Sequence, residues 1–146
     1  MTIPEARKTE YRKWLIEFIN ARLAEEEATA RAAGGGTWRT GCYCEGPCTG
    51  WGGGCCRVEG DDIKIYDEGG HDASQADHIA RHDPARVLRE IEAKRAILAR
   101  YEDCLDRMEN LEFSAMAARE GLAEYEDSVL PNMAGAWSDH ADYRQE

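Results

Sequence analysis

No apolar run in this 146-residue chain is long enough to cross a bilayer. The amino-terminal MTIPEARKTEYRKWLIEF also lacks the uninterrupted apolar stretch of a secretory signal. A cytosolic protein with no membrane partner is expected. Basic charge is in deficit: 18 Lys and Arg stand against 29 Asp and Glu, a formal net charge of −11. Such a field repels phosphate backbones and disfavours sequence-nonspecific nucleic-acid binding. It suits an ordinary solubilising excess, a basic partner, or an acidic mimic of DNA. Several catalytic signatures are missing too. GGGTW and GWGGGCC have neither the strand, the Lys nor the helix of a phosphate-binding loop. No nucleophile elbow, internal repeat or CxxC pair is present.

What is present specifies helices. The stretch HIARHDPARVLREIEAKRAIL, His78 to Leu98, is the best-defined part of the chain. Asp83 is a good N-cap and Pro84 suits the first helical position, so a helix begins there and runs to about Leu111. Val87, Ile91, Leu98, Tyr101, Leu105 and Met108 form its apolar seam, supported by Leu88 and Ile97. Lys94 interrupts the seam with its stem over apolar neighbours and its ammonium in water. Glu90 and Lys94 make an i,i+4 pair worth about 0.3 kcal/mol on a solvated face. An earlier helix is expected over 5–33, burying Tyr11, Trp14, Leu15, Phe18, Ile19 and Leu23. Arg12, Lys13, Glu17, Arg22 and Glu25 to Glu27 read as solvated, and Gly34 to Gly36 stop this helix. A short helix is expected over 74–81. After a turn near Asn110 to Ser114, a second arm runs from Ala115 to Leu130 and ends at Pro131. Glu124, Glu126 and Asp127 on it read as a solvated acidic group. Trp137 and Tyr143 are the candidate anchors of the 131–146 tail.

Between the first helices lies a small β region, 37–67. Thr37 to Thr40 favours a strand but is short. A hairpin is expected from Cys56 to Val58, a turn at Glu59 to Asp62, and Ile63 to Tyr66, with Asp67 to Gly70 ending the second strand. The whole is expected to be one α+β domain, mostly α, spanning 1–146. Its long N-terminal and central helices pack as a helical hairpin, and a small antiparallel β-hairpin bears a Cys/Gly-rich loop, 41–56.

That loop is the strongest chemical feature. Five of the six cysteines, Cys42, Cys44, Cys48, Cys55 and Cys56, lie in CYCEGPCTGWGGGCC, and Cys104 stands apart in a helix. The loop offers little apolar surface beyond Tyr43 and Trp51, so it needs a cross-link to be ordered. A tetrahedral zinc closed by Cys42 or Cys44 with Cys48 and Cys55 or Cys56 would supply one, contributing on the order of 10 kcal/mol to folding. His71 is a substitute ligand. An unliganded thiol loop, a disulfide pair and an iron–sulfur cluster are the alternatives, in that order.

A second constellation is His78, His82 and Asp83, with Asp139, His140 and Asp142 in the tail. Two histidines four apart share one helix face, the arrangement of metal-dependent hydrolases. Ile79, however, stands where the general-base Glu of HExxH would be, and Asp83 reads more simply as a cap.

The blocks WLIEFINARLAEEEATARAAGGGTW, YDEGGHDASQADHIARHDPARVLREIEAKRAIL and WSDHADYRQE, roughly half to two-thirds of the chain, resemble a family of small uncharacterised proteins from actinobacteria and their phages. The matching positions include Trp38, His78, His82, Asp83, Pro84, Arg86, Glu90, Arg95, His140 and Tyr143. The resemblance implies an actinobacterial or phage setting and no activity; the Cys-rich loop and the region 101–134 depart from the pattern. The leading expectation is a non-enzymatic accessory protein that binds another protein through its helical surface, its loop braced by zinc. A small metal-dependent hydrolase using His78, His82 and His140, with Asp83 or Asp139 as ligand or base, is the competing reading, and an acidic DNA mimic the third.

Overall fold

Local capping chemistry sets where the long helices stop and start in the computed structural model, which describes residues 5–42, 56–60, 64–71, 73–110 and 115–144. Helix α1 spans Glu5–Ala32. It ends in a Schellman turn: Gly34 N–H bonds Arg31 O and Gly35 N–H bonds Ala30 O, each at 3.0 Å. Both glycines adopt positive φ, 99° and 67°, which a side chain would disfavour. Strands β1 (Arg39–Cys42), β2 (Cys56–Glu59) and β3 (Lys64–His71) follow, then α2 (Ala73–Arg81) and α3 (Pro84–Asn110). The chain continues through α4 (Ala115–Glu124), a π-helical turn at Tyr125–Val129, α5 (Leu130–Ala134) and a 3-10 turn at Gly135–Trp137. The fold is the expected mostly helical α+β arrangement, and two compact units make it up: Met1–Glu25 with Glu92–Glu146, and Glu26–Ile91.

In the unit Glu26–Ile91 the three strands form an antiparallel sheet in the order β1-β2-β3. The expected hairpin therefore gains a third strand, at Arg39–Cys42 rather than Thr37 to Thr40. β3 also continues through Asp67 to Gly70, where the sequence suggested an end. Its pairing explains why: Val58 opposes Tyr66 and Cys56 opposes His71, so two steps along β2 correspond to five along β3. The surplus residues, including Gly69 and Gly70, are taken up as an irregularity of the ladder. Residues 61–63, with most of the expected turn and Ile63, lie outside the described residues. Cys56 and Val58 pack against Ala76 and Ala80 of α2, flanked by Trp38 and Ile79. Small side chains one helical turn apart let α2 lie close to the sheet.

In the other unit, Leu15, Phe18, Ile19 and Leu23 of α1 are buried with Leu98 and Tyr101 of α3, Leu122 of α4, and Leu130 and Ala134 of α5. Thr9, Arg12 and Ile16 border the same groove as Tyr101 and Leu105, so the long helices pack together here. Each fully buried Leu or Ile contributes roughly 2 kcal/mol of burial. Ile97, Lys94 and Pro131 depart from the sequence expectations. Ile97 is 37% exposed, because one residue from Leu98 turns it about 100° off the seam. Lys94 directs its ammonium over the Trp137 ring, 4.8 Å from the centroid, rather than into water alone. Pro131 does not end the helical run: the π turn, closed by Leu130 N–H to Tyr125 O, puts the proline in the first turn of α5, where its missing N–H is harmless.

The tail is anchored as its aromatics suggest. Tyr143 packs edge-on to Phe18 and Trp14, with centroids 5.8 and 6.3 Å apart, and Trp137 meets Phe18 at 6.5 Å.

Candidate functional site

The β1–β2 register runs Arg39 with Glu59, Thr40 with Val58, Gly41 with Arg57 and Cys42 with Cys56. The last pair closes the mouth of the loop 43–55. Cys44, Cys48 and Cys55 belong to that loop and lie outside the described residues. Residues directly opposed in an antiparallel pair have Cβ atoms roughly 4.5–5.5 Å apart on one face. Tetrahedral zinc, with Zn–S near 2.3 Å, needs sulfurs about 3.8 Å apart. An opposed Cys pair can meet that spacing. Cys56 is 5% exposed and Cys42 half-buried, so the position is sheltered. On the far side of Cys56 its register partner in β3 is His71. Cys42, Cys56 and His71 therefore occupy one transverse row of the sheet. Composition alone weights all five loop cysteines equally; the distinction appears only when TWRTGC and CRVE are paired across the loop. Cys104 is half-buried in α3, the helix where the sequence places it.

The second constellation sits where α2 gives way to α3. Asp83 is 7% exposed, and its Oδ1 accepts the Arg86 N–H at 2.6 Å. Its Oδ2 accepts the Trp38 N–H at 3.2 Å. Val87 N–H bonds Asp83 O and Ala85 N–H bonds Gly36 O, each at 3.1 Å, while Pro84 has no N–H. The donors of the first turn of α3 are thereby satisfied without any ligand. Arg86 then pairs with Glu90 at 2.7 Å. His78 and His82 are exposed, their ring centroids 4.4 Å apart and their planes at 41°. His82 Nδ1 lies 2.8 Å from the His78 carbonyl oxygen. Asp77, beside them in sequence, accepts the Thr40 hydroxyl at 2.6 Å.

His140 and its neighbours are held differently. Its ring contacts the Arg22 guanidinium, packs on Phe18 at 5.9 Å, and accepts the Asp142 N–H at Nδ1, 3.1 Å. Arg22, expected in solvent, is only 7% exposed. It donates to Glu25 at 2.8 Å and lies over the Phe18 ring at 5.3 Å, so its charge is compensated where it is buried. Asp139 is exposed in the turn that follows the 3-10 segment. Among the described residues no three His, Cys, Asp or Glu side chains converge as a metal centre would require.

One polar cluster escaped the sequence reading. Arg12 pairs with Glu126 at 2.6 Å, and the Glu126 side chain is only 8% exposed. Tyr101 O–H donates to Glu126 Oε1 at 2.8 Å. Burial pushes the Tyr101 hydroxyl well above its ordinary range, and the Glu126 hydrogen bond and charge add to that, with Arg12 opposing. Tyr101 therefore keeps its proton in the hydrogen bond it donates to Glu126. The available signal was position: Glu126 stands midway between Leu122 and Leu130 on the apolar side of its helix, not among the solvated acids.

A family model described as a family of unknown function, DUF6221, matches residues 13–146. No curated protein and no solved structure matches the chain.

Proposed function

Because the chain belongs to the DUF6221 family, whose function is unknown, we propose a role read from its own residues. It is a non-enzymatic intracellular accessory protein, phage or prophage encoded, that binds a host or phage protein through its helical surface and carries the Cys-rich loop as a zinc-braced protrusion. The observation that carries this reading is the register pairing of Cys42 with Cys56 at the loop mouth. Two thiolates presented by paired strands form half of a tetrahedral set before the loop contributes any ligand. The remaining two come from Cys44, Cys48 and Cys55, with His71 as the substitute. The non-enzymatic part draws support from the occupation of Asp83 and His140 by structural bonds. The phage or prophage setting rests on the resemblance of the three sequence blocks to small actinobacterial and phage proteins.

Metal analysis of the purified chain tests the reading. About one zinc per chain is expected, released by Cys42→Ser or Cys56→Ser and retained in His78→Ala and His140→Ala. Release by the histidine changes instead would reject the cysteine site and favour the hydrolase. An intact mass lighter by two hydrogens and no zinc would replace the metal by a disulfide. Capture from host lysate that returns no protein partner would reject the accessory role.

A further inference from the structure

We propose that His78 and His82 form a second, surface-exposed metal site, a two-imidazole chelate for a divalent first-row transition ion, Ni2+ or Cu2+. They stand four positions apart, His78 in the last turn of α2 and His82 just past its end, so the backbone presents both rings on one side. Imidazole nitrogens bound at about 2.0–2.1 Å place each ring centre roughly 3.2 Å from the ion, and two cis ligands then have centroids roughly 4.5–5 Å apart. The observed 4.4 Å lies just below that range, so the two exposed rings already stand near chelating distance.

The hydrogen bonding selects the correct nitrogen. A carbonyl oxygen can only accept, so the contact between His82 Nδ1 and His78 O puts the proton on Nδ1 and leaves the lone pair on Nε2. An imidazole oriented by an Nδ1–H bond to a backbone carbonyl is the usual condition of a metal-ligating histidine. The end of a helix also favours a cation, since its carbonyls carry partial negative charge. One of those carbonyls, Arg81 O, accepts from the Arg86 guanidinium at 3.1 Å. With two protein ligands the ion keeps open positions for water or for a group from another molecule.

This site is independent of the cysteine loop, and its test separates the two. Ni2+ is titrated into the full chain as purified, followed by calorimetry and by the imidazole resonances of the four histidines. One ion per chain is expected, with paramagnetic broadening confined to His78 and His82. His78→Ala and His82→Ala should each weaken binding about 10²-fold, the order of advantage that tethering a second ligand confers. Both positions are exposed and alanine favours helix, so the variants keep their circular dichroism. Unchanged Ni2+ affinity in either variant, or broadening of His71 or His140 instead, overturns the proposal. Zinc content of the Cys42→Ser chain reports on the loop alone and does not bear on this result.

Discussion

Replacing Asp83 separates two duties of one carboxylate. Its Oδ1 caps α3 through Arg86 N–H, and its Oδ2 holds the Trp38 N–H at the entry to β1. Asp83→Ala removes both. Losing an N-cap costs about 1 kcal/mol, and leaving a buried N–H without its partner costs about 1–3 kcal/mol more. A total loss of about 2–4 kcal/mol is expected. Asp83→Ser distinguishes the contributions: a hydroxyl can cap the helix but cannot also reach Trp38, so it should recover roughly 1 kcal/mol of the deficit. The assay is urea unfolding at pH 7 followed by circular dichroism, comparing midpoints at constant m. Amide exchange at Trp38 and Arg86 then locates the effect. If Asp83→Ala loses less than about 0.5 kcal/mol, or Ser equals Ala, the double role of Asp83 is wrong.

The raised Tyr101 hydroxyl makes stability depend on alkaline pH. The native state keeps a proton that the unfolded tyrosine releases near its ordinary value of 10.0, so the contribution is complete below pH 10 and is lost as pH rises further. The slope should approach about 1.4 kcal/mol per pH unit, and Tyr101→Phe should flatten the difference between urea midpoints at pH 9.5 and 11; an unchanged slope in that variant would contradict the assignment. In the hydrophobic core, Leu23→Ala should cost about 2–5 kcal/mol, because Leu23 is fully buried, whereas Ile97→Ala, at a side chain 37% exposed, should cost about 1 kcal/mol. Comparable losses in thermal melts of the two variants would refute the packing described for α1 and α3.

Features with local causes were legible in the sequence. The start of α3 is one, because Asp83 and Pro84 satisfy the first-turn donors with neighbouring residues. The end of α1 is another, since two glycines in positive φ complete the Schellman turn. The buried face of α1 followed from periodicity, and Leu15, Phe18, Ile19 and Leu23 lie where it put them. What escaped depends on distant partners. Arg22 reads as solvated by charge alone, yet it meets His140 across 118 positions. Glu126 likewise needs Arg12 to be recognised as buried. The length of β3 follows from an irregular pairing with β2 that alternation cannot encode. The cysteines were visible as a group, but singling out Cys42 and Cys56 required the strand register.

The π turn at Tyr125–Val129 also governs rotational phase. Leu122, Glu126, Leu130 and Ala134 recur every four residues, and all four side chains are withdrawn from solvent. In an unbroken α-helix each four-residue step over-rotates by about 40°, so three steps would carry the last side chain about 120° off the face of the first. The wider turn absorbs that drift and keeps the line facing inward. Winding the same residues as an ideal α-helix would turn everything downstream by about 120°. Trp137, His140 and Tyr143 would then swing away from Phe18. The extra residue acts as an angular spacer, and the docking of the whole carboxy-terminal segment is timed by it.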